Sequence, residues 1–247
     1  MGFYRELAPS PALHPAVLCR WSRRVPETAK SASSLILPDG CVDLIWRDGD
    51  LALAGLDRTA RPSRLTPGET ILGLRLRPGV AGTVLGIPAS EVVDHPRIPL
   101  EELLGSGAVE LEERLGEANG EERAFDLLER LVASRLEAAE LDPLVLAASR
   151  RLGFDGSRVD RLAEALGISD RQLRRRFHRA VGYGPKMLDR VLRFRRFVSR
   201  ASSALADELD LARLAADLGY ADQSHMTRDC LRLSGMTPAR LAERWPG

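Results

Sequence analysis

Cysteine is scarce in this sequence, and histidine is hardly more common. Cys19, Cys41 and Cys230 are odd in number and sit at spacings that build neither a disulfide framework nor a zinc site, so a reducing compartment suits them. His14, His95, His178 and His225 are equally scattered, and no metal centre is expected. A nucleophile turn of the Gly-x-Ser-x-Gly kind is missing too, which leaves no catalytic residue to name and no cofactor to expect. No apolar run approaches the roughly 20 residues that cross a bilayer, and the first residues lack the basic-then-apolar pattern of a signal peptide. The reading is a cytoplasmic, non-enzymatic protein with no membrane segment. Lysine is nearly absent: Lys30 and Lys186 are the only two among 36 basic residues, so arginine carries the positive charge.

What is present points to a soluble globular chain. Its 247 residues are 44% hydrophobic and 29% charged, enough for two domains of ordinary size. The net charge of +1 hides a segregation of signs. Residues 157–200 hold thirteen Arg or Lys against four acids, whereas residues 101–142 hold thirteen acids against four arginines. The acidic segment reads either as a solvated face or as an electrostatic partner for the basic block.

Short apolar runs at 34–37, 42–46, 51–54 and 70–76, punctuated by Pro and Gly, predict strands. The second and third are joined by Arg47-Asp48-Gly49-Asp50, a hairpin signal. Residues 80–85 suit a short helix. From about Leu103 the apolar spacing turns helical, through Leu111, Leu115, Phe125, Leu128, Leu131, Val132 and Leu136.

The chain then repeats itself. Arg161-Leu-Ala-Glu-Ala-Leu-Gly167 returns as Arg213-Leu-Ala-Ala-Asp-Leu-Gly219, and Leu173, Phe177, Gly182 and Pro185 correspond to Met226, Cys230, Gly235 and Pro238. Each copy reads as helix, tight turn, helix. In the first, Ser157 suits a cap, Gly167 ends the helix, and Ser169 with Gln172 forms a capping-box pattern that restarts it. On the restarted helix Leu173, Phe177 and Ala180 share one face, while Arg171, Arg174, Arg175 and His178 share the opposite one. An exposed arginine row at that place suits the DNA major groove, where guanidinium groups donate to guanine and neutralise phosphates. In the second copy Asp210 and Asp222 are the caps, Met226, Cys230 and Leu233 point inward, and Gln223, Ser224, Thr227 and Arg228 point outward. Between the copies Pro185 opens a helix with a seam of Met187, Val191, Phe194, Val198 and Ala201, leaving Arg190, Arg193, Arg196 and Arg200 for the DNA backbone.

These residues resemble the AraC/XylS family of transcription regulators. The resemblance is carried by Asp210-Leu-Ala-Arg-Leu-Ala-Ala-Asp-Leu-Gly-Tyr220-Ala-Asp-Gln-Ser-His-Met-Thr-Arg-Asp229 and Gly235-Met-Thr-Pro-Ala-Arg-Leu241, and it spans about residues 157–241. Cys230 departs from it, standing where the family usually has Phe. The resemblance implies two helix-turn-helix units on double-stranded DNA, with contacts from Arg171, Arg174 and Arg175 and from Gln223, Ser224, Thr227 and Arg228. It also implies an N-terminal domain, often cupin-like, that senses an effector or dimerises. The stretch from Ile36 to Trp46, with Gly73 to Gly79 after it, looks like an uncharacterised domain found ahead of such units.

The expected fold is therefore α+β. A mainly β domain (1–102), cupin-like or a small barrel, precedes a helical linker or dimerisation segment (103–152) and an all-α DNA-binding domain (153–247) with two helix-turn-helix units joined by a long helix. Alternation puts Val42, Leu44 and Trp46 on one face of their strand and Cys41, Asp43 and Ile45 on the other. An Asp43 to Arg75 pair across the sheet would be either a structural ion pair or a polar anchor for an acidic or hydroxylated effector. Cys41, Asp43, Trp46 and Arg75 are the candidate effector residues. Other readings stay open: an N-terminal half that only dimerises or recruits RNA polymerase, or a DNA-repair alkyl acceptor at Cys41. Against the last, Cys41 has no His beside it, and Asp39-Gly40 is explained as a turn.

Overall fold

The computed structural model describes residues 3–28, 32–152, 159–202 and 210–244. The N-terminal strands are β1 (Phe3–Leu7), β2 (Val17–Arg24), β3 (Ala32–Ile36), β4 (Val42–Arg47), β5 (Asp50–Gly55), β6 (Arg61–Leu65), β7 (Thr70–Leu76) and β8 (Ile98–Pro99). Six form one antiparallel sheet in the order β1-β2-β7-β4-β5-β8, and β3 pairs with β6 as a separate ribbon. The β4–β5 hairpin turns at Asp48 and Gly49, both with positive φ (54° and 87°), as a two-residue loop between twisted strands requires. The expected strands all form. β1, β2, β6 and β8 are additions.

Alternation gives the sheet two working faces. On one, Val42, Leu44, Leu72, Leu74 and Leu76 are buried in the main core; on the other, Cys19, Trp21 and Ile71 meet Leu65 of the ribbon in a small second layer. Against the first face pack α1 (Ala81–Leu85), α2 (Leu100–Leu104), α3 (Ser106–Gly116), α4 (Glu121–Ala138) and α5 (Pro143–Leu152), through residues such as Val84, Leu100, Leu111, Phe125 and Val145. The core does not stop at α5. It runs on through Leu162 and Ala163 of α6 (Leu162–Ala165), Leu173 and Phe177 of α7 (Asp170–Ala180) and Leu188 at the start of α8 (Pro185–Ser202). A separate cluster joins Val191, Phe194 and Phe197 of α8 to Ala215 of α9 (Leu211–Asp217), Met226, Cys230 and Leu233 of α10 (Gln223–Ser234), and Leu241 of α11 (Pro238–Arg244).

The acid-rich helices find most of their arginines in the sheet. Glu121 pairs with Arg5 and Arg24, and Glu122 with Arg20, whose guanidinium also lies over the Phe125 ring. Asp142 does reach the basic block, at Arg176 (2.7 Å). Among the described residues no helix is long and apolar enough to cross a membrane.

Candidate functional site

Two sites are built by these elements. The first begins at Gly167, whose φ of +67° ends α6 and leads into the turn before α7. Ser169 then closes both halves of a capping box: its Oγ accepts from the Gln172 N–H (3.3 Å), and its own N–H donates to Gln172 Oε1 (2.9 Å). Along α7, Leu173, Phe177 and Ala180 are buried, while Arg171, Arg174, Arg175 and His178 are exposed. The cap expected at Ser157 lies outside the described residues, as does the start of the expected DNA-binding domain at 153.

The second copy has the same construction. Asp210 accepts from the N–H groups of Ala212 and Arg213, Gly219 turns the chain at φ +73°, and Asp222 accepts from the His225 N–H (2.6 Å). Met226, Cys230 and Leu233 are buried; Gln223, Ser224 and Arg228 are exposed and Thr227 is half-buried. Burial, with Asp229 adding to it, pushes the Cys230 thiol up to about 12, so it behaves as a small apolar core group. The connecting helix differs from expectation. Its buried seam includes Leu188 and Phe197, with Met187 and Val198 only half-buried. Arg190 is tied to buried Asp229 (3.0 Å), and Arg193 to Asp189 (3.0 Å) and the Tyr220 ring, so neither is a free backbone contact.

The second site is a cavity of about 690 Å³ between the large sheet and the β3–β6 ribbon. Its floor comes from three rows of facing residues on β2, β7 and β4: Arg23, Ile71 and Arg47; then Trp21 and Ile45 on either side of Gly73; then Arg75 and Asp43, in register with Cys19. Gly73 is required there, because a Cβ would lie 2.1 Å from the Trp21 indole that crosses it. Asp43 and Arg75 form the two-bonded pair read from the sequence (3.0 and 3.2 Å), and the Trp21 indole also donates to Asp43 (3.0 Å). Burial lifts the Asp43 carboxyl above its ordinary value, against the pull of Arg75. Cys41 lines the same cavity, but burial, helped by Asp39, pushes its thiol well up, which disfavours a thiolate nucleophile. Trp46 does not line it. Its parity on β4 places it behind the sheet, half-buried against the main core with Val42 and Leu44. Trp21 and Arg23 were not singled out from sequence; the signal available was the alternation of Cys19, Trp21 and Val25.

Two walls of the cavity touch the helical region. Leu37 packs against the second helical cluster, and Gly40 (φ +80°) lies where a Cβ would meet Leu188 (2.9 Å) and the buried Tyr183 hydroxyl (3.6 Å). After the Leu56–Asp57 wall, Ala60 donates its N–H to the Leu233 carbonyl of α10 (2.6 Å). Among the described residues no cluster of His, Cys, Asp and Glu is arranged to hold a metal.

Residues 162–244 match the family described as Helix-turn-helix domain, and residues 5–96 match Domain of unknown function (DUF6597). No curated protein matches the chain. Solved structures similar to it include ToxT from Vibrio cholerae O395 (10% identity, TM-score 0.46, covering 92% of this chain and 97% of that one). Another is unsaturated fatty acid bound ToxT from Vibrio cholerae strain SCE256 (10% identity, TM-score 0.42, 92% and 95% covered). Similarity at that level carries no inference about ligand or target.

Proposed function

We propose that this chain, which carries an AraC-type helix-turn-helix domain behind a domain of unknown function, is a sequence-specific transcription regulator reading double-stranded DNA with α7 and α10. The carrying observation is that both helices are capped at their N-termini, buried along one face and polar along the other. Arg171, Arg174, Arg175 and His178 supply donors for guanine edges and phosphates. Gln223, Ser224, Thr227 and Arg228 suit hydrogen bonding to base edges, with weaker attraction to phosphate. The 18 residues of α8 run roughly 27 Å, a length compatible with reading helices in successive major grooves about 34 Å apart. Six to eight phosphate contacts would give log affinity against log salt a slope of about −5 to −7. A slope near zero ends the DNA-binding reading.

The division we propose is 1–102 for regulation, 103–152 as linker, and 153–247 for DNA. The cavity is then the effector site, with Cys41, Asp43 and Arg75 at its floor and Trp46 supporting the sheet from behind. Its volume falls in the range of small-molecule sites, and the walls at 37–41 and 56–60 give an occupant a mechanical route to both helix-turn-helix units. A homodimer, acting with RNA polymerase in the cytoplasm, follows the family resemblance. The open edge of β1, where Phe3 is 80% exposed, offers one surface for the dimer. The second reading, an N-terminal half that only dimerises or recruits polymerase, is favoured by one fact: Asp43 and Arg75 already satisfy each other. Ile45→Trp, which sets an indole across the middle of the cavity floor, separates the two. It abolishes a reporter's effector response on the first reading and changes nothing on the second.

A further inference from the structure

The floor of the cavity is electrically polarised. At one end Arg75 has three carboxylates within 4 Å, those of Asp43, Asp39 and Glu6. At the other end stands Arg23, opposite Ile71, where Arg75 is opposite Cys19 on the same pair of strands. Four residues along the ladder separate the two ends by roughly 13 Å. Five arginines line the cavity, and four of them have an acid: Arg47 has Glu69 (2.7 Å), Arg61 has Asp57 (2.7 Å), Arg75 has Asp43 (3.0 Å) and Arg97 has Asp50 (3.3 Å). Among the described residues Arg23 has no carboxylate, and its Nε is buried without a hydrogen-bond acceptor. Among the described residues Arg23 is thus the lining guanidinium that no carboxylate neutralises, and an anion entering the cavity can pair with it. Between the charged ends the floor is Trp21 and Ile45, with Leu65 from the ribbon above.

We infer that the cavity takes an organic monoanion, a carboxylate or sulfonate seated on Arg23 with an apolar or aromatic body lying over Trp21 and Ile45. The acid surplus around Arg75 repels a second anionic group at the far end and faces the ligand with acceptors. This assignment rests on the cavity being a ligand site at all, and the test separates the two claims.

The probes are 8-anilinonaphthalene-1-sulfonate and its uncharged relative N-phenyl-1-naphthylamine, which has the same ring skeleton without the sulfonate. Each is titrated into the full chain, the wild type against Arg23→Met and Arg23→Lys, with near-ultraviolet circular dichroism confirming that each variant is folded. Arg23→Met should weaken the sulfonate about tenfold while leaving the neutral probe within about twofold, and Arg23→Lys should keep most of the sulfonate affinity. Equal binding of the sulfonate to wild type and Arg23→Met, or equal loss of both probes, overturns the anion assignment while the cavity remains a ligand site. Failure of both probes to bind the folded wild type overturns the ligand site and the assignment together.

Discussion

Asp43 and Arg75 face each other across β4 and β7, both side chains less than a fifth exposed, so removing Arg75 alone strands the Asp43 carboxylate beside the cavity. Arg75→Met should therefore cost about 2 to 3 kcal/mol of folding stability in urea titrations. The double change with Asp43→Asn should recover most of it, because the pair and not either member is what the fold requires. Equal losses in the single and double variants would show that Arg75 acts through packing. This pair was legible because Asp43 and Arg75 each lie at a fixed parity in a strand that the sequence marks clearly. Arg23 was not legible in the same way. Arg20, Ser22, Arg23 and Arg24 put polar residues on both faces of β2 and blur the alternation of Cys19, Trp21 and Val25, the one local sign of the face that Arg23 shares.

Elements with strong local signals form where the sequence places them. The Asp48-Gly49 hairpin, the capping box at Ser169, and the caps at Asp210 and Asp222 each rest on contacts within four residues. β6 contains Pro62, which suits only an edge position, and it gains strand geometry by pairing with β3, a long-range event with no local sign. Ser169→Ala should cost about 1 kcal/mol of stability by thermal or urea unfolding, since it removes the side-chain acceptor at the start of α7. Docking between elements gives a sharper contrast. A Cβ on Gly82 would lie 2.3 Å from the Arg179 carbonyl at the end of α7, whereas one on Gly107 meets nothing within 4 Å. Gly107→Ala should raise stability by about 0.5 to 1 kcal/mol through helix propensity, and Gly82→Ala should lower it despite the same propensity gain. Matching shifts of one sign in both variants would mean that α1 does not pack as tightly on α7 as the backbone distance implies.

At the scale of the whole molecule the main core crosses the expected domain boundary. Leu44 and Leu74 of the sheet belong to the same apolar cluster as Phe177 and Leu188, while Phe194, Met226 and Leu233 belong to another. Hydrogen exchange should accordingly show the amides of α7 opening together with the sheet, and those of α10 opening separately at lower free energy. Amides of α7 and α10 opening together, apart from the sheet, would place both helix-turn-helix units in one independent domain. The sequence predicted two units at the right residues, but burial shared between distant segments has no sequence period, so the unequal docking of the two was not legible. That asymmetry bears on the regulator reading, because the segment 37–41 borders both helical clusters whereas Ala60 borders α10. The most direct measurement is selection of bound fragments from random double-stranded DNA by the full chain. Two capped reading helices on one long connector predict enrichment of a bipartite sequence, two short elements about one helical turn, roughly 10 base pairs, apart. Fragments bound no better than the starting pool, or enrichment of one short element alone, would contradict it.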